Sequence, residues 1–411
     1  MFRYFGPPGT GKTTTLLNHV EQLLAEGTPP NKIGYFAFTR KAAHEAKDRA
    51  VARFGLDPEK DFVFFRTLHS LAFQLLGISG AQVLKEEHLK SFSKRIGVNL
   101  TESIEAVEDE GFVTFRSNHP IMRGIDLART TERGPMWAYN QMDLDITSYH
   151  FKLIYSEYEK FKKKDGLKDF TDMLVDFSES PTIVPELKVV FLDEAQDLTP
   201  LQWKIAHLIN DKCERFYIAG DDDQGIFSWA GADVTRFISL DAASEVLTQS
   251  HRVPRTVWTM ADKVSSRIRK RQKKEWSPRP ADGSTRFVQD HYGIDFSDQW
   301  LILAQANYML NDIGAYLKTQ GYFFERFNSP SLSKKVRNAI TSWTHLTTGK
   351  NREISLSEAQ NLYGHITSED GRLQRGAKSL LKSAHEQDVF TLGLLHEHFG
   401  LEADGTWEEV L

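Results

Sequence analysis

The stretch GPPGTGKT at residues 6–13 is the feature that most constrains how this chain can fold. It follows the short apolar run Phe2–Phe5 and precedes an amphipathic segment that ends near Gly27. Glycines at this spacing let backbone N–H groups converge where a side chain would clash, and such a group of amides binds phosphate. The order of strand, loop and helix therefore predicts a phosphate-binding loop at the end of a parallel β-strand. A glycine-rich turn with a chance lysine is the alternative, but it would not explain the flanking strand and helix.

The loop predicts a P-loop NTPase that binds a nucleoside triphosphate. Lys12 is expected to place its charge on the β- and γ-phosphates, and the Thr13 hydroxyl is expected to bind Mg²⁺. The residues expected around the phosphates are Gly6, Pro7, Pro8, Gly9, Thr10, Gly11, Lys12, Thr13 and Thr14.

A second signal is the acidic string DEAQD at residues 193–197, which follows the apolar run Val189–Leu192. Carboxylates at the carboxyl end of a parallel strand, beside a phosphate-binding loop, suit Mg²⁺ binding and the orientation of an attacking water. We assign Asp193 to the metal, through a water, and Glu194 to the general base. The alternative is a solvated acidic helix start, which the preceding buried-type strand makes the weaker interpretation.

Composition narrows the class of protein without identifying a substrate. The 411 residues carry a net charge of −5, which neither indicates nor excludes nucleic-acid binding, since local basic surface decides that. The single cysteine, Cys213, excludes an internal disulfide framework and suits a reducing compartment. No apolar run is long enough to span a membrane, and the functional strand begins at Phe2 where a signal peptide would lie. We therefore expect a cytoplasmic protein that does not bind membranes.

The pattern of strands and helices predicts an α/β fold with a doubly wound parallel sheet. Residues 1–75 and 166–240 are expected to form the first core, interrupted at 76–165 by a helical insertion. The strands are expected at Phe2–Phe5, Ile33–Phe38, Phe62–Phe65, Val189–Leu192 and Phe216–Ala219, and the helices of the insertion include Leu84–Ile96 and Tyr149–Lys164.

A second α/β pattern begins near Glu245 and is expected to occupy residues 241–328. It predicts a strand at Trp300–Ala304 and a helix at Met309–Gln320. Residues 329–411 return to a helical pattern, which predicts a second insertion. Its helices are expected at Lys334–Leu346, Leu356–Ile366 and Gly371–Glu386.

Aromatic and basic residues follow several strand ends and suggest contacts with single-stranded nucleic acid. Phe38, Thr39 and Arg40 combine a ring, a hydroxyl and a cation, which together suit base stacking and phosphate contact. The alternative places Phe38 in the core and Arg40 in solvent. His69 follows another strand end and is equally ambiguous. Trp229 lies on a short loop after a strand and offers a flat face to a base, although it also suits hydrophobic packing.

Three segments complete the candidate site. Gln224 follows a Gly-Asp turn five residues before the tryptophan, where it would sense the γ-phosphate. Arg252 lies at the start of the second core, where it would stabilise charge that develops on the γ-phosphate; an ordinary surface arginine is the alternative. The basic run Arg267–Lys274 suits a phosphate backbone and a solvated face equally.

Taken in order, these motifs resemble the UvrD/Rep/PcrA branch of superfamily 1 DNA helicases. The resemblance depends on DFTDML at 169–174, DEAQD at 193–197, GDDDQ at 220–224 and FSWAGAD at 227–233, and it covers roughly residues 1–325. It implies two RecA-like cores with ATP between them, a helical insertion in each core, and 3′-to-5′ translocation. It places Lys12, Thr13, Asp193, Glu194, Gln224 and Arg252 at the ATP site, and Phe38, Thr39, His69 and Trp229 along single-stranded DNA.

The chain departs from that family pattern in three places. Only five residues precede Gly6, so the segment that reads adenine has no match and the preference for ATP stays open. His251 occupies the position of an adenine-stacking aromatic residue. The two late family motifs, one of which supplies a second arginine to the γ-phosphate, have no match. We expect a fragment of a longer protein or a shortened form, with slow ATP hydrolysis and poor unwinding.

Three functions fit the motifs to different degrees. The first is an ATP- and Mg²⁺-dependent translocase or helicase on single-stranded DNA or single-strand/duplex junctions, in repair or replication. The alternative is a nucleotide-gated module that binds single strands without productive unwinding. A P-loop kinase is the weakest of the three, because it leaves Gln224 and Trp229 unexplained.

Overall fold

The computed structural model describes residues 1–38, 40–101, 104–109, 112–326, 329–348, 352–366, 371–385 and 388–402. The chain divides into two compact units, Met1–Thr285 and Arg286–Leu411. In the part of the chain described, no helix is long and apolar enough to cross a membrane.

The first unit is built on a parallel sheet. Its strands and those of a separate hairpin are β1 (Phe2–Phe5), β2 (Ile33–Ala37), β3 (Phe65–Thr67), β4 (Ile104–Asp109), β5 (Phe112–Ser117), β6 (Leu187–Leu192), β7 (Cys213–Gly220) and β8 (Ala243–Val246). The six-stranded sheet has the order β3-β2-β6-β7-β1-β8, and every neighbouring pair is parallel. This arrangement confirms the predicted α/β class with a parallel sheet.

The helices of the first unit cover both faces of that sheet or form the insertion. They are α1 (Lys12–Ala25), α2 (Arg40–Phe54), α3 (Leu68–Leu75), α4 (Glu86–Ile96), α5 (Pro120–Thr130), α6 (Gly134–Gln141), α7 (Ser148–Asp165), α8 (Phe170–Ser178), α9 (Pro200–Asn210), α10 (Val234–Ser239) and α11 (Arg255–Ser265).

Strand β6 lies at the centre of the core because both of its faces are buried. Val190 and Leu192 pack into one cluster with α8 and α9. Val189 and Phe191 point the other way, into a cluster with α1 and α2. Alternate residues of a strand face opposite sides of a sheet, so a continuous apolar run is what a doubly covered parallel strand requires.

The phosphate-binding loop joins β1 to α1, as its sequence predicts. Gly9 and Gly11 have φ angles of 73° and 83°, a region that glycine adopts without strain. A Cβ atom on Gly6 would lie 2.0 Å from Cγ of Lys12, and one on Gly9 would lie 2.3 Å from Cβ of Arg252. Close packing therefore requires glycine at position 6, backbone conformation requires it at position 11, and both require it at position 9.

The predicted insertion contains α4, α5, α6 and α7, but it also contains a β-hairpin that the sequence did not predict. β4 and β5 pair antiparallel, with Glu105 opposite Arg116 and Val107 opposite Thr114. The residues of β4 are mostly exposed or half-buried and include three acidic side chains. The acidic residues of β4 interrupt its apolar pattern, so the hydrophobic signal of this strand is weak.

The structure differs from the sequence predictions at two places after residue 240. β8 pairs with β1, with Phe2 opposite Ala243, so the residues near Glu245 extend the first sheet and do not begin another. The run Trp300–Ala304 forms no regular strand, and Leu301 and Leu303 are 83% and 82% exposed. The assignment of the rest of residues 241–328 to a second core stays a prediction.

The second unit is small and mainly helical. Its elements are α12 (Leu310–Thr319), β9 (Glu325–Arg326), β10 (Ser329–Pro330), α13 (Lys334–Thr348), β11 (Glu353–Ser355), α14 (Leu356–His365), α15 (Ala377–Lys382), β12 (Val389–Thr391) and α16 (Leu392–His398). The helices predicted near α12, α13 and α14 are confirmed. The helix predicted over Gly371–Glu386 was too long, because α15 begins only after Gly376, whose φ angle is 94°; Glu386 lies outside the described residues.

Candidate active site

A cleft of ≈ 420 Å³ lies at the carboxyl ends of β1 and β6. Its walls bring together the predicted residues Pro7, Pro8, Gly9, Thr10, Gly11, Lys12, Thr13, Thr14, Asp193, Glu194, Gln224 and Arg252. Gly6 lies beneath this lining, where its carbonyl oxygen accepts a hydrogen bond from Nζ of Lys12 at 3.0 Å. The fold thus gathers residues from four separate stretches of sequence at one place.

Asp193 is held by three hydrogen bonds. Its Oδ2 accepts from the Thr13 hydroxyl at 2.9 Å and from the Tyr35 hydroxyl at 2.7 Å, and its Oδ1 accepts from the backbone N–H of Glu194 at 2.9 Å. Tyr35 is buried in β2 beside β6. Burial and the nearby Asp193 carboxylate raise the pKa of the Tyr35 hydroxyl well above its ordinary value, so this hydroxyl stays a donor.

The Thr13 and Asp193 pair fits Mg²⁺. Both groups offer oxygen atoms, and Mg²⁺ is commonly held by one or two carboxylates while water and substrate phosphates complete its shell. Within the described residues, no group of three or more His, Cys, Asp or Glu side chains is placed to hold a metal alone. The donor set therefore suits a metal that arrives with a nucleotide.

Glu194 occupies a strained backbone position beside this pair. Its φ angle of 54° is in the left-handed region, which is uncommon for a residue other than glycine and is often found at functional sites. Its Oε2 accepts from Nε2 of Gln196 at 3.0 Å and lies 3.7 Å from Nζ of Lys12. These contacts aim a carboxylate that is about one-third exposed (37%) into the cleft.

Gln196 links Glu194 to the turn that carries Gln224. Its Oε1 accepts from the backbone N–H of Asp221 at 2.9 Å, and Nε2 of Gln224 donates to Oδ2 of Asp221 at 2.6 Å. Gln196 belongs to the DEAQD string, but the sequence alone did not indicate a role for it. The buried amide joins two strand ends that are far apart in sequence.

The segment at residues 250–252 is tied directly to the phosphate-binding loop. The Ser250 hydroxyl donates to the carbonyl oxygen of Pro8 at 2.7 Å, and the backbone N–H of His251 donates to that of Gly9 at 2.9 Å. These bonds bring Arg252 and His251 to the wall of the cleft.

Helix α2 adds two cleft residues that the sequence did not single out. Glu45 and Arg49 lie one turn apart, form an ion pair at 2.5 Å, and line the same cleft. Their i,i+4 spacing after the Arg40-Lys41 pair was the available signal, but such pairs are common on solvated helices.

An aromatic surface with one exposed ring lies around the loop after Gln224; Phe227 and Phe38 are half-buried, and Phe38 also packs against the core. Trp229 is 62% exposed, and Cζ of Arg123 lies 5.1 Å from the centroid of its ring. The Phe227 ring lies 6.3 Å from Trp229 and 5.9 Å from Phe38. Phe38, Phe227 and Trp229 therefore form a connected row, and we refer to this row with Arg123 as the aromatic surface. Arg123 comes from α5 of the insertion and was not predicted.

The other residues predicted to contact nucleic acid have different partners. Arg40 is exposed and pairs with Glu108 at 3.2 Å. His69 stacks on Phe170 with ring centroids 3.5 Å apart, and burial, with a contribution from Arg116, lowers its pKa to about 3, so the ring is neutral. Thr39 lies outside the described residues.

The DFTDML string at residues 169–174 forms a buried ionic network and not part of the cleft. Asp169 and Asp172 both pair with Arg129 of α5 and with Lys162 of α7. Burial opposes ionisation, but Arg129 and Lys162 hold the pKa of Asp169 well below its ordinary value. The network joins α8 of the core to two helices of the insertion.

Comparison with known proteins assigns the family. The family model described as the UvrD/REP helicase N-terminal domain matches residues 5–244. The ATP-dependent DNA helicase Rep of Buchnera aphidicola subsp. Baizongia pistaciae (strain Bp) is 26% identical, covering 56% of this chain and 35% of the relative. The ATP-dependent DNA helicases PcrA of Bacillus subtilis (strain 168) and Staphylococcus aureus (strain COL) are each 25% identical, covering 62% of this chain and 38% and 36% of those relatives.

The chain thus spans little more than a third of the length of these relatives. The family match extends from the last residue of β1 into β8 and includes β2, β3, β6 and β7 of the parallel sheet in full. Because that match covers more than half of the chain, the chain belongs to the UvrD/Rep helicase family.

Proposed function

We propose that this chain supplies the nucleotide-driven part of a 3′-to-5′ translocase or helicase that acts on single-stranded DNA. The observation that carries the proposal is the stretch 220–231, which bears Gln224 in the nucleotide cleft and the exposed Trp229 a few residues later. Because the loop between Gln224 at the phosphate site and the Trp229 ring is short, a movement at one of them is transmitted to the other.

Hydrolysis in this proposal depends on side chains that are already oriented. Lys12 and the backbone amides of the loop bind the β- and γ-phosphates of ATP. Thr13 and Asp193 would hold Mg²⁺, which would neutralise charge on the phosphate oxygens. Glu194 accepts the proton of the attacking water, and its contacts with Gln196 and Lys12 keep the carboxylate in place.

Arg252 completes the charge arrangement around the γ-phosphate. Its segment is bonded to the carbonyl oxygens of Pro8 and Gly9, so the backbone that carries Arg252 is anchored next to the phosphate-binding loop. An arginine in this position stabilises charge that develops in the transition state. The proposal places the nucleotide between this residue and the loop, as between two RecA-like cores.

The choice of DNA and ATP rests on the relatives. Their names describe ATP-dependent DNA helicases, and we extend both ligands to this chain on that basis. Base stacking on Trp229, with Arg123 beside it, suits an unpaired strand or a junction between single and double strands, because a base must leave the duplex to expose its face. We propose that the protein works on such DNA in the cytoplasm, whichever proteins accompany it.

The direct test measures steady-state ATP hydrolysis with and without oligo(dT), alongside the affinity for a fluorescent oligo(dT) with and without a non-hydrolysable ATP analogue. The proposal expects slow hydrolysis that a single strand stimulates, and an affinity that changes with the nucleotide. Affinity that responds to nucleotide without any turnover would favour the gated binding module. Displacement of streptavidin from 3′- or 5′-biotinylated strands tests the direction of movement.

A further inference from the structure

The basic segment at residues 271–274 packs into the turn that carries Gln224. Nε and Nη2 of Arg271 donate to the two carboxylate oxygens of Asp223 at 2.8 and 2.6 Å. Lys274 is fully buried and pairs with Asp221 at 3.0 Å, with Asp223 at 3.0 Å and with Asp222. Neither sequence interpretation of these two residues, as a DNA-binding face or a solvated face, describes this arrangement.

The charged groups of this cluster pair with one another at close distance. Burial by itself would lower the pKa of Lys274, but the carboxylates of Asp221, Asp222 and Asp223 outweigh burial and raise it. The backbone N–H of Gln272 donates a further bond to Asp222 at 2.6 Å. A buried cation with three carboxylate partners fixes its surroundings firmly, because any movement would leave a charge without a partner.

Asp221 is the member of this cluster that reaches the active site. Its Oδ1 meets Nζ of Lys274, and its Oδ2 accepts from Nε2 of Gln224 at 2.6 Å. An ionised carboxylate only accepts hydrogen bonds, so it selects the NH₂ side of the Gln224 amide. The carbonyl oxygen Oε1 of Gln224 is consequently turned away from Asp221.

We propose that Lys274 is a positioning residue for ATP hydrolysis: it holds Asp221, and Asp221 turns the Gln224 amide so that its carbonyl oxygen accepts a hydrogen bond from the attacking water. This inference rests on the function proposed above. In this inference Gln224 and Glu194 both act as acceptors toward the attacking water. Gln196 holds the two residues in one arrangement, because it contacts Glu194 and the backbone of Asp221.

Two isosteric substitutions with matched chemistry test this series of contacts from Lys274 through Asp221 to Gln224, which we call the relay. Asp221→Asn and Asp223→Asn each remove one carboxylate charge from the contacts of Lys274, but only Asp221 contacts the Gln224 side chain. We expect Asp221→Asn to lower kcat on the order of tenfold without weakening ATP binding, because the variant loses a hydrogen bond to a charged group. In a Gln224→Ala background the same change should alter kcat by less than about twofold, because coupled residues are not additive. Asp223→Asn should change kcat by the same factor in both backgrounds.

A charge-compensated double variant tests Lys274 itself. Lys274→Gln alone leaves the buried carboxylates of Asp221 and Asp222 without their cation, which endangers folding. Combined with Asp222→Asn, it removes one charge of each sign and takes the cation from Asp221. The relay expects this double variant to reproduce the kcat loss of Asp221→Asn and to lose that effect in the Gln224→Ala background. Equal losses with and without Gln224 would overturn the relay.

A second readout does not require turnover. The side-chain amide signal of Gln224 in a ¹⁵N spectrum can be assigned by its loss in Gln224→Ala. We expect Asp221→Asn and the Lys274→Gln/Asp222→Asn variant to shift this signal, and Asp223→Asn to leave it in place. If the unmodified chain hydrolyses no ATP, the proposed function fails, yet the spectrum still decides the relay: an unshifted signal in Asp221→Asn overturns it.

Discussion

The nucleotide cleft and the aromatic surface differ in how completely their side chains are already held. In the cleft, Lys12, Asp193 and Glu194 have hydrogen-bond or ion-pair partners within the protein. On the aromatic surface, Trp229 is mostly exposed, and its ring contacts among the described residues are with the tilted Phe227 ring and the Arg123 cation. Preorganised dipoles and charges suit chemistry at a fixed position, whereas an open ring suits a polymer whose bases arrive and leave.

The contrast predicts a division of effects. Substitutions in the cleft should change turnover and leave DNA affinity nearly constant, and substitutions on the aromatic surface should do the reverse. The stretch 220–231 joins the two regions, so it is the place where the division is expected to fail.

The largest effect is expected for Glu194→Gln. The amide keeps the shape of the side chain but cannot accept the proton of the attacking water, so kcat for ATP hydrolysis should fall by up to about 10⁴-fold. ATP binding, measured with a fluorescent analogue, should persist. Glu186→Gln is the matched control, because Glu186 directly precedes the opposite end of β6 and is exposed. Retained turnover in Glu194→Gln would remove this residue as the base.

Arg252→Ala should follow, with a loss in kcat of about 10³-fold if its guanidinium stabilises charge on the γ-phosphate. Its segment is held through the Ser250 hydroxyl and the backbone N–H of His251, which the substitution leaves intact. Arg255→Ala serves as the control, since Arg255 is exposed and pairs with Asp282 on the surface. A variant that loses ATP binding but turns over bound ATP at the normal rate would assign Arg252 to binding instead.

The sequence predicted the cleft well because its residues lie at strand ends. In a parallel sheet the carboxyl ends of neighbouring strands share one edge, so Lys12, Asp193 and Gln224 were expected near one another and line one cleft. The sequence could not predict Tyr35, whose role depends on β2 pairing with β6 across more than 150 residues of chain.

The same limit applies to two other segments after residue 240. Arg271 and Lys274 stand in a run of cations, which by itself indicates solvent or a phosphate backbone. Their partners lie about 50 residues earlier in the chain, where three consecutive aspartates make burial favourable. Trp300–Ala304 has the composition of a strand, but a strand also needs a neighbour to pair with, and local sequence does not supply one.

Trp229→Ala tests the aromatic surface. Loss of base stacking should weaken binding of oligo(dT) by roughly 1–3 kcal/mol, and the melting temperature should change little because the ring is exposed. Trp300→Ala is a matched control, since Trp300 is 53% exposed and lies in the other compact unit. If Trp229→Ala lowered the melting temperature sharply, the ring would be a packing residue and the contrast between the two regions would be lost.

The smallest effect, and the one that sharpens the description of the cleft, concerns Asp197. Burial, with a contribution from the nearby Glu194, raises the pKa of the Asp197 carboxyl to about 7, and among the described residues its Oδ1 is buried without a hydrogen-bond partner. The unfolded carboxyl loses its proton near its ordinary value of 3.8. Between these values the folded state holds one more proton, so this residue makes stability fall as the pH rises through about 7.

Asp197→Asn removes that titration, and urea unfolding at several pH values between 5 and 8 measures the result. The variant should gain stability relative to the unmodified chain as the pH rises, by on the order of 1 kcal/mol at pH 8 after allowance for solvent screening. Asp211→Asn, at the exposed end of α9, should keep the original slope. An unchanged slope in Asp197→Asn would mean that solvent reaches this carboxylate, and that the cleft is more open beside Glu194 than its hydrogen bonds indicate.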